Sequence, residues 1–251
     1  MRDIKTYTEE YLKPSFEEYQ VIYRRKKILE ILEKIKPESI LEIGCGMEPI
    51  FKYLDTSKYK RILTVEPSKE FYENAEKISR GKVNVRCVNA FFEEYAGKIQ
   101  GEFDFILCSG LLCELEDPKV MLEAIKSVCK NNRTLEHETV VHINVPNANS
   151  IHRLLASKMG LIHDNYQMSE RNKKLQQHFV YDMESLCEIV KSVFGDGIIE
   201  RGSYFLKIFS HSQMMDMLDK HIITEETLDG MYKLTEVFPE YGSEIYVNLK
   251  I

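Results

Sequence analysis

Short apolar runs alternating with segments of helical periodicity predict an α/β fold: a doubly wound, mostly parallel sheet with a helical cap inserted after the fifth strand. Three observations carry this expectation. Ile40, Leu41 and Ile43 form a brief apolar run that passes directly into Gly44-Cys45-Gly46, as expected of a strand covered on both faces that turns sharply toward a helix. Similar runs at 61–65, 83–88, 103–112 and 139–145 are separated by amphipathic stretches, which right-handed crossovers turn into neighbouring parallel strands. From Pro146 the alternation loses its regularity for about 35 residues. Such a connection is too long and too rich in specific side chains to be a linker.

Length and charge bound the rest. The chain has 251 residues and a formal net charge of −6, enough to bury one full core and the wrong sign for a general nucleic-acid binder. A single domain over 1–251 is expected, with a covering segment at 1–36 and a substrate cap at 146–181. Six cysteines occur without a C-x-x-C pair, which favours small buried hydrophobes in a reducing compartment over disulfides or metal ligation. No apolar run reaches the roughly 18 residues of a membrane span, and Met1-Arg2-Asp3-Ile4-Lys5 lacks a signal core. A cytoplasmic protein is therefore expected, with no membrane span, no nucleic-acid partner and no metal; a homodimer is compatible with the sequence.

Taken in order, Ile28, Ile31, Leu32 and Ile35 recur at helical spacing within 15–36, and Pro37 closes that helix. Tyr7, Tyr11, Phe16, Tyr19 and Tyr23 precede or begin it; they either fold over a ligand mouth or pack as ordinary core rings. Pro49 to Leu54 reads as a helix whose first N–H groups can meet an anion. Arg61 to Val65 is the second strand and ends at Glu66-Pro67. Ser68 caps the next helix. Val83 to Val88 is the third strand and Phe103 to Leu112 holds the fourth. Pro118 to Cys129 is helical, Thr139 to Val145 is the fifth strand, and Asp182 starts a helix ending near Gly195. Ile198 to Leu206 is strand-like, two helical stretches follow, and Glu244 to Leu249 makes the last strand.

The glycine turn is the chemical centre. Pro49 stands where the dinucleotide fingerprint G-x-G-x-x-G needs its third glycine. Glu66, about 20 residues beyond the glycines, is placed to accept both hydrogen bonds of a ribose diol. Glu42-x-Gly44-x-Gly46 resembles the first motif of class I S-adenosylmethionine-dependent methyltransferases, with Glu48 in place of the last glycine. Asn89-Ala90-Phe91 resembles that family's adenine-binding set, and Phe103-Asp104-x-Ile106 followed by Asp117-Pro118 resembles its fourth segment. The cap runs at 146–155, 159–162 and 178–182 are similar to members from bacterial surface-polysaccharide and small-metabolite pathways.

The resemblance implies a seven-stranded, Rossmann-like sheet and S-adenosyl-L-methionine as cofactor. It implies cofactor contacts at Glu42, Gly44, Cys45, Gly46, Glu66, Pro67, Asn89, Ala90, Phe91, Ser109, Gly110 and Leu111. Cys113-Glu114 stands where many small-molecule members carry histidine. The implied reaction is O-methylation of a small polar acceptor such as a sugar, a sugar nucleotide or another cell-envelope or capsule precursor. His178 and His152 are the candidate bases in the cap, because imidazole titrates near neutral pH; a structural role is the competing reading for each. Asn144, Asn147, Asn149, Arg153 and Tyr181 are candidate acceptor contacts. An NAD(P)-dependent oxidoreductase and a non-catalytic cofactor-binding protein are the alternatives.

Overall fold

A computed structural model describes residues 3–131 and 138–251; Met1 and Arg2, part of the stretch read for a signal core, lie outside it. Seven strands form one sheet: β1 (Ser39–Ile43), β2 (Arg61–Glu66), β3 (Val85–Asn89), β4 (Phe105–Ser109), β5 (Val140–Pro146), β6 (Ile198–Ser203) and β7 (Glu244–Lys250). Their order is β3-β2-β1-β4-β5-β7-β6. The first five pair in parallel, while β7 runs antiparallel to both β5 and β6. The order reverses between β1 and β4, and open α/β sheets bind their ligands at that switch, beyond the carboxyl ends of the strands.

The helices are α1 (Ile4–Tyr11), α2 (Glu17–Ile35), α3 (Lys69–Ser79), α4 (Phe92–Tyr95), α5 (Pro118–Asn131), α6 (Ile151–Lys158), α7 (Glu170–Lys174), α8 (Met183–Phe194), α9 (His211–Asp219) and α10 (Glu225–Lys233). One apolar layer joins α5 and α8 to the sheet through Leu41, Ile43, Ile106, Leu122, Leu186 and Val247. The opposite layer joins α2 and α10 to Ile40, Ile62, Phe105 and Tyr246. Because β1 is buried at every position, its neighbours in sequence cannot wander, and the turn that follows is fixed in space.

Several expected boundaries move. No α-helix follows Pro49; Ile50–Tyr53 is a single 3-10 turn. The anion at its start is the chain's own Glu42, whose carboxylate accepts the Ile50 N–H at 2.9 Å. Val83 is exposed and outside β3, and β6 stops at Ser203, three residues before the expected end. Residues 204–206 then leave the sheet while remaining buried, carrying the chain across the open end toward Lys207.

Candidate active site

A cavity of about 1020 Å³ lies over the carboxyl ends of β1, β2 and β4 and extends beneath α1, α6 and the start of α9. Its floor is the turn after β1. Gly44 and Gly46 both have positive φ, at 68° and 56°, a conformation that costs a side-chain-bearing residue strain. The turn is also tightly covered. A Cβ on Gly44 would stand 3.1 Å from the Leu111 methyls, and one on Gly46 would stand 3.4 Å from the Tyr11 hydroxyl.

Glu66 ends β2 and is 4% exposed. Its carboxylate accepts the Gly46 N–H at 3.1 Å and the Ser68 N–H at 2.8 Å. Burial raises its pKa, and the backbone donors partly offset that effect. Glu42 lies deeper; burial pushes its pKa up to about 7 despite bonds from Ile50 and Thr64. Glu48, at the missing glycine, is held by Arg25 and Lys52.

The sequence-predicted cofactor residues divide. Glu42, Gly44, Cys45, Gly46, Glu66, Pro67, Ser109, Gly110 and Leu111 all line the cavity. Asn89, Ala90 and Phe91 do not border it. Asn89 instead donates to the carbonyls of Glu66 and Pro67, so it braces the end of β2. Around the glycine turn the residues fit a nucleoside bearing an amino-acid arm: open backbone below, a buried carboxylate at diol position beside it, and Ser109-Gly110-Leu111 opposite.

The acceptor candidates divide as well. His152 and Arg153, at the start of α6, line the cavity, as does Asn147. Asn147 is spent on structure, with its amide donating to the carbonyls of Glu240 and Gly242. Asn149 and Tyr181 lie outside the lining. Asn149 accepts from Asn165, and Tyr181 is packed in the core. Asn144 is buried behind the cavity wall and donates to Glu244 at 3.1 Å. His178 is exposed and outside the cavity, where its backbone N–H donates to the Cys113 carbonyl.

The polar groups that sequence reasoning missed come from distant elements. Arg24 of α2 donates to Glu244 of β7 through Nε at 2.6 Å and to Glu17 at 2.6 Å. Burial opposes the charge on Arg24, but Glu244 and Glu17 outweigh it and raise its pKa. Lys207 and His211, from the connection between β6 and β7, enter the same cavity. Burial pushes Lys207 down to about 7 and His211 down to about 3. His152 is held well below the usual imidazole range by burial and then by the charges of Lys207, Arg153 and His211. Its Nδ1 is buried without a hydrogen-bond partner among the described residues. Opposite, Glu114 is buried at the rim and receives the Tyr7 hydroxyl.

The fold and this site define a class I S-adenosylmethionine-dependent methyltransferase. A family model described as a methyltransferase domain matches residues 15–193, and the chain belongs to that family. No curated protein sequence matches. Among solved structures, the chain is similar to the plantazolicin methyltransferase BamL in complex with a triazolic desmethylPZN analog and SAH. There the identity is 14% and the TM-score 0.51, covering 98% of this chain and 96% of that one. It is also similar to the N-methyltransferase NodS from Bradyrhizobium japonicum WM9, at 13% identity and TM-score 0.53 over 94% and 98% of the two chains. An S-adenosylmethionine-dependent methyltransferase from Clostridium acetobutylicum ATCC 824 matches at 12% identity and TM-score 0.54 over 91% and 92%. The oxidoreductase alternative falls with the family assignment. Among the described residues no helix is long and apolar enough to cross a membrane, and no group of three or more His, Cys, Asp or Glu side chains is gathered as a metal site.

Proposed function

We propose that this methyltransferase transfers a methyl group to a hydroxyl of a small polar acceptor, with His152 as the base. The observation that carries the reading is the neutral, cavity-lining imidazole of His152, whose Nδ1 is engaged by no other group among the described residues. S-adenosylmethionine supplies an activated methyl group on a sulfonium leaving group, so the protein's task is alignment and removal of one proton.

In this reading Gly44, Gly46, Glu66 and Ser109-Gly110-Leu111 hold the donor at the strand ends. The acceptor occupies the end beneath α6 and α9. There His152 would orient the acceptor hydroxyl and take up its proton as that oxygen is methylated. Burial and the nearby cations keep the His152 ring unprotonated beforehand; the same effects make it a weak base, suited to a proton whose acidity rises as the oxygen is methylated. Tyr7 and Tyr11 of α1 cover the donor end, limiting water there. The sugar, sugar-nucleotide or envelope-precursor acceptor implied by the cap resemblance fits this polar end, and the cytoplasmic location expected from the cysteine pattern goes with it.

The test is incubation of labelled S-adenosylmethionine with fractionated sugar-nucleotide and envelope-precursor pools, followed by mass identification of the product. An O-methylated small molecule, formed by the wild type and lost in His152→Ala, is expected. A product methylated on nitrogen or carbon would overturn the O-directed reading.

A further inference from the structure

The lining of the acceptor end of the cavity carries four cationic side chains, Arg24, Arg153, Arg171 and Lys207, against two carboxylates, Glu17 and Glu244. Lys207 is 3% exposed, lines the cavity, and its ammonium meets no acceptor or carboxylate within bonding reach among the described residues. Arg171 lines the same end, and its guanidinium likewise has no ion-pair or hydrogen-bond partner among them. Arg153 donates to two backbone carbonyls, of Asn165 and Gln167, and the exposed Asp164 acts on its charge without closing an ion pair. Of the carboxylates around this end, Glu17 and Glu244 line the cavity and are already clasped by Arg24, while Asp164 and Glu10 act on Arg153 and Arg171 from outside the lining.

The start of α9 faces this group. Ser210, His211, Ser212 and Gln213 all border the cavity. The Ser210 side chain caps the Gln213 N–H, while the His211 and Ser212 N–H groups have no acceptor among the described residues. A nine-residue helix presents the positive end of its dipole there. Uncompensated charge in a buried place is costly to the fold. Here burial and the neighbouring arginines depress Lys207 while Glu17 and Glu244 only partly restore it. A bound anion would supply the missing balance.

We infer that the methyl acceptor carries a phosphate group, held by Lys207, Arg153, Arg171 and the N-terminus of α9. A phosphate rather than a single carboxylate suits the arrangement, because three cationic side chains and free helix N–H groups match a doubly charged group with several acceptor oxygens. The inference deepens the proposed function and rests on its placing the acceptor at this end of the cavity.

Inorganic pyrophosphate titrated calorimetrically into protein saturated with S-adenosylhomocysteine, at constant ionic strength, tests it. Succinate serves as the carboxylate control. Saturable one-to-one binding of pyrophosphate is expected, at least tenfold weaker in Lys207→Met and several-fold weaker in Arg171→Gln, with S-adenosylhomocysteine affinity unchanged within about twofold. Arg171 is only half-buried, so its variant keeps the test sound if Lys207→Met misfolds. Absence of saturable pyrophosphate binding, equal affinity in wild type and both variants, or succinate bound as tightly as pyrophosphate would each overturn the assignment. Pyrophosphate bound by a protein that refuses S-adenosylhomocysteine would uphold the anion site and sink the donor placement instead.

Discussion

The carboxylate of Glu66 accepts the backbone N–H of Gly46 at 3.1 Å, so the tip of β2 and the turn after β1 hold each other in place. The same carboxylate borders the cavity. Two ligand-facing features are thereby built as one unit. Glu66→Gln should weaken S-adenosylhomocysteine binding at least about tenfold, or roughly 1.4 kcal/mol, because a charged acceptor of hydroxyl bonds becomes neutral. Calorimetry on the folded variant checks this; unchanged affinity would remove Glu66 from the donor site.

The two histidines singled out in the cap should separate cleanly. His152→Gln is expected to lower turnover about a hundredfold or more, the usual loss for a positioned base, with donor affinity preserved. His178→Ala should retain wild-type turnover, since its side chain lies outside the cavity. Steady-state rates on an identified acceptor decide the matter, and full activity in His152→Gln would end its role as base.

Lys207→Met is expected to stabilise the protein. The folded pKa of about 7 lies below the ordinary value of 10.5, so the unfolded chain binds the extra proton between those values. Wild-type stability therefore rises as pH increases from about 7 to 10.5, and the full penalty is present below pH 7. Removing the ammonium should add about 2 kcal/mol at neutral pH, discounted from the full shift for relaxation of the site. Chemical denaturation at several pH values will show the variant's advantage shrinking toward pH 10.5. A destabilised variant at neutral pH would contradict this account.

His142 sits on β5, fully buried between Asn248 at 2.6 Å and the Tyr204 hydroxyl. Burial pushes its pKa down to about 4 from 6.5. The unfolded state takes up the proton first, so stability should be complete above about pH 6.5 and fall by roughly 3 kcal/mol on acidification to about pH 4. His142→Phe should flatten this acid limb in urea titrations. An acid limb identical to that of the wild type would mean that other groups control it.

How far the sequence reveals this site depends on how each part is encoded. β1, β2, β4 and β5 are legible because strands covered on both faces must be continuously apolar, and Gly44, Gly46 and Glu66 lie at their ends. The helix expected after Pro49 is one 3-10 turn, ended where Leu54 returns to extended backbone, and its first N–H is taken by Glu42. Asn89 matched a motif, yet its amide is consumed by the carbonyls ending β2. The acceptor end was the least legible part. Lys207 reads as an ordinary residue after a strand, and Arg24 as one of four consecutive basic residues on a helix. Their meaning comes from Glu17, Glu244 and the start of α9, which no local spacing brings together. His178 was placed for the same reason: its neighbours in sequence belong to the stretch expected to form a cap, while its own side chain lies outside the cavity.

The position of β7 has a consequence for synthesis. It is made after β6, yet it inserts between β5 and β6 and carries Glu244, the partner of Arg24 far back on α2. Until β7 emerges from the ribosome, β5 remains an open edge and β6 has no neighbour, a state exposed to wrong pairing. The glycine turn and Glu66 can assemble on the growing chain, whereas the acceptor wall must wait for β7. In the proposed arrangement the donor end is thus encoded wholly ahead of β7, and the acceptor end is closed by the last strand to be made.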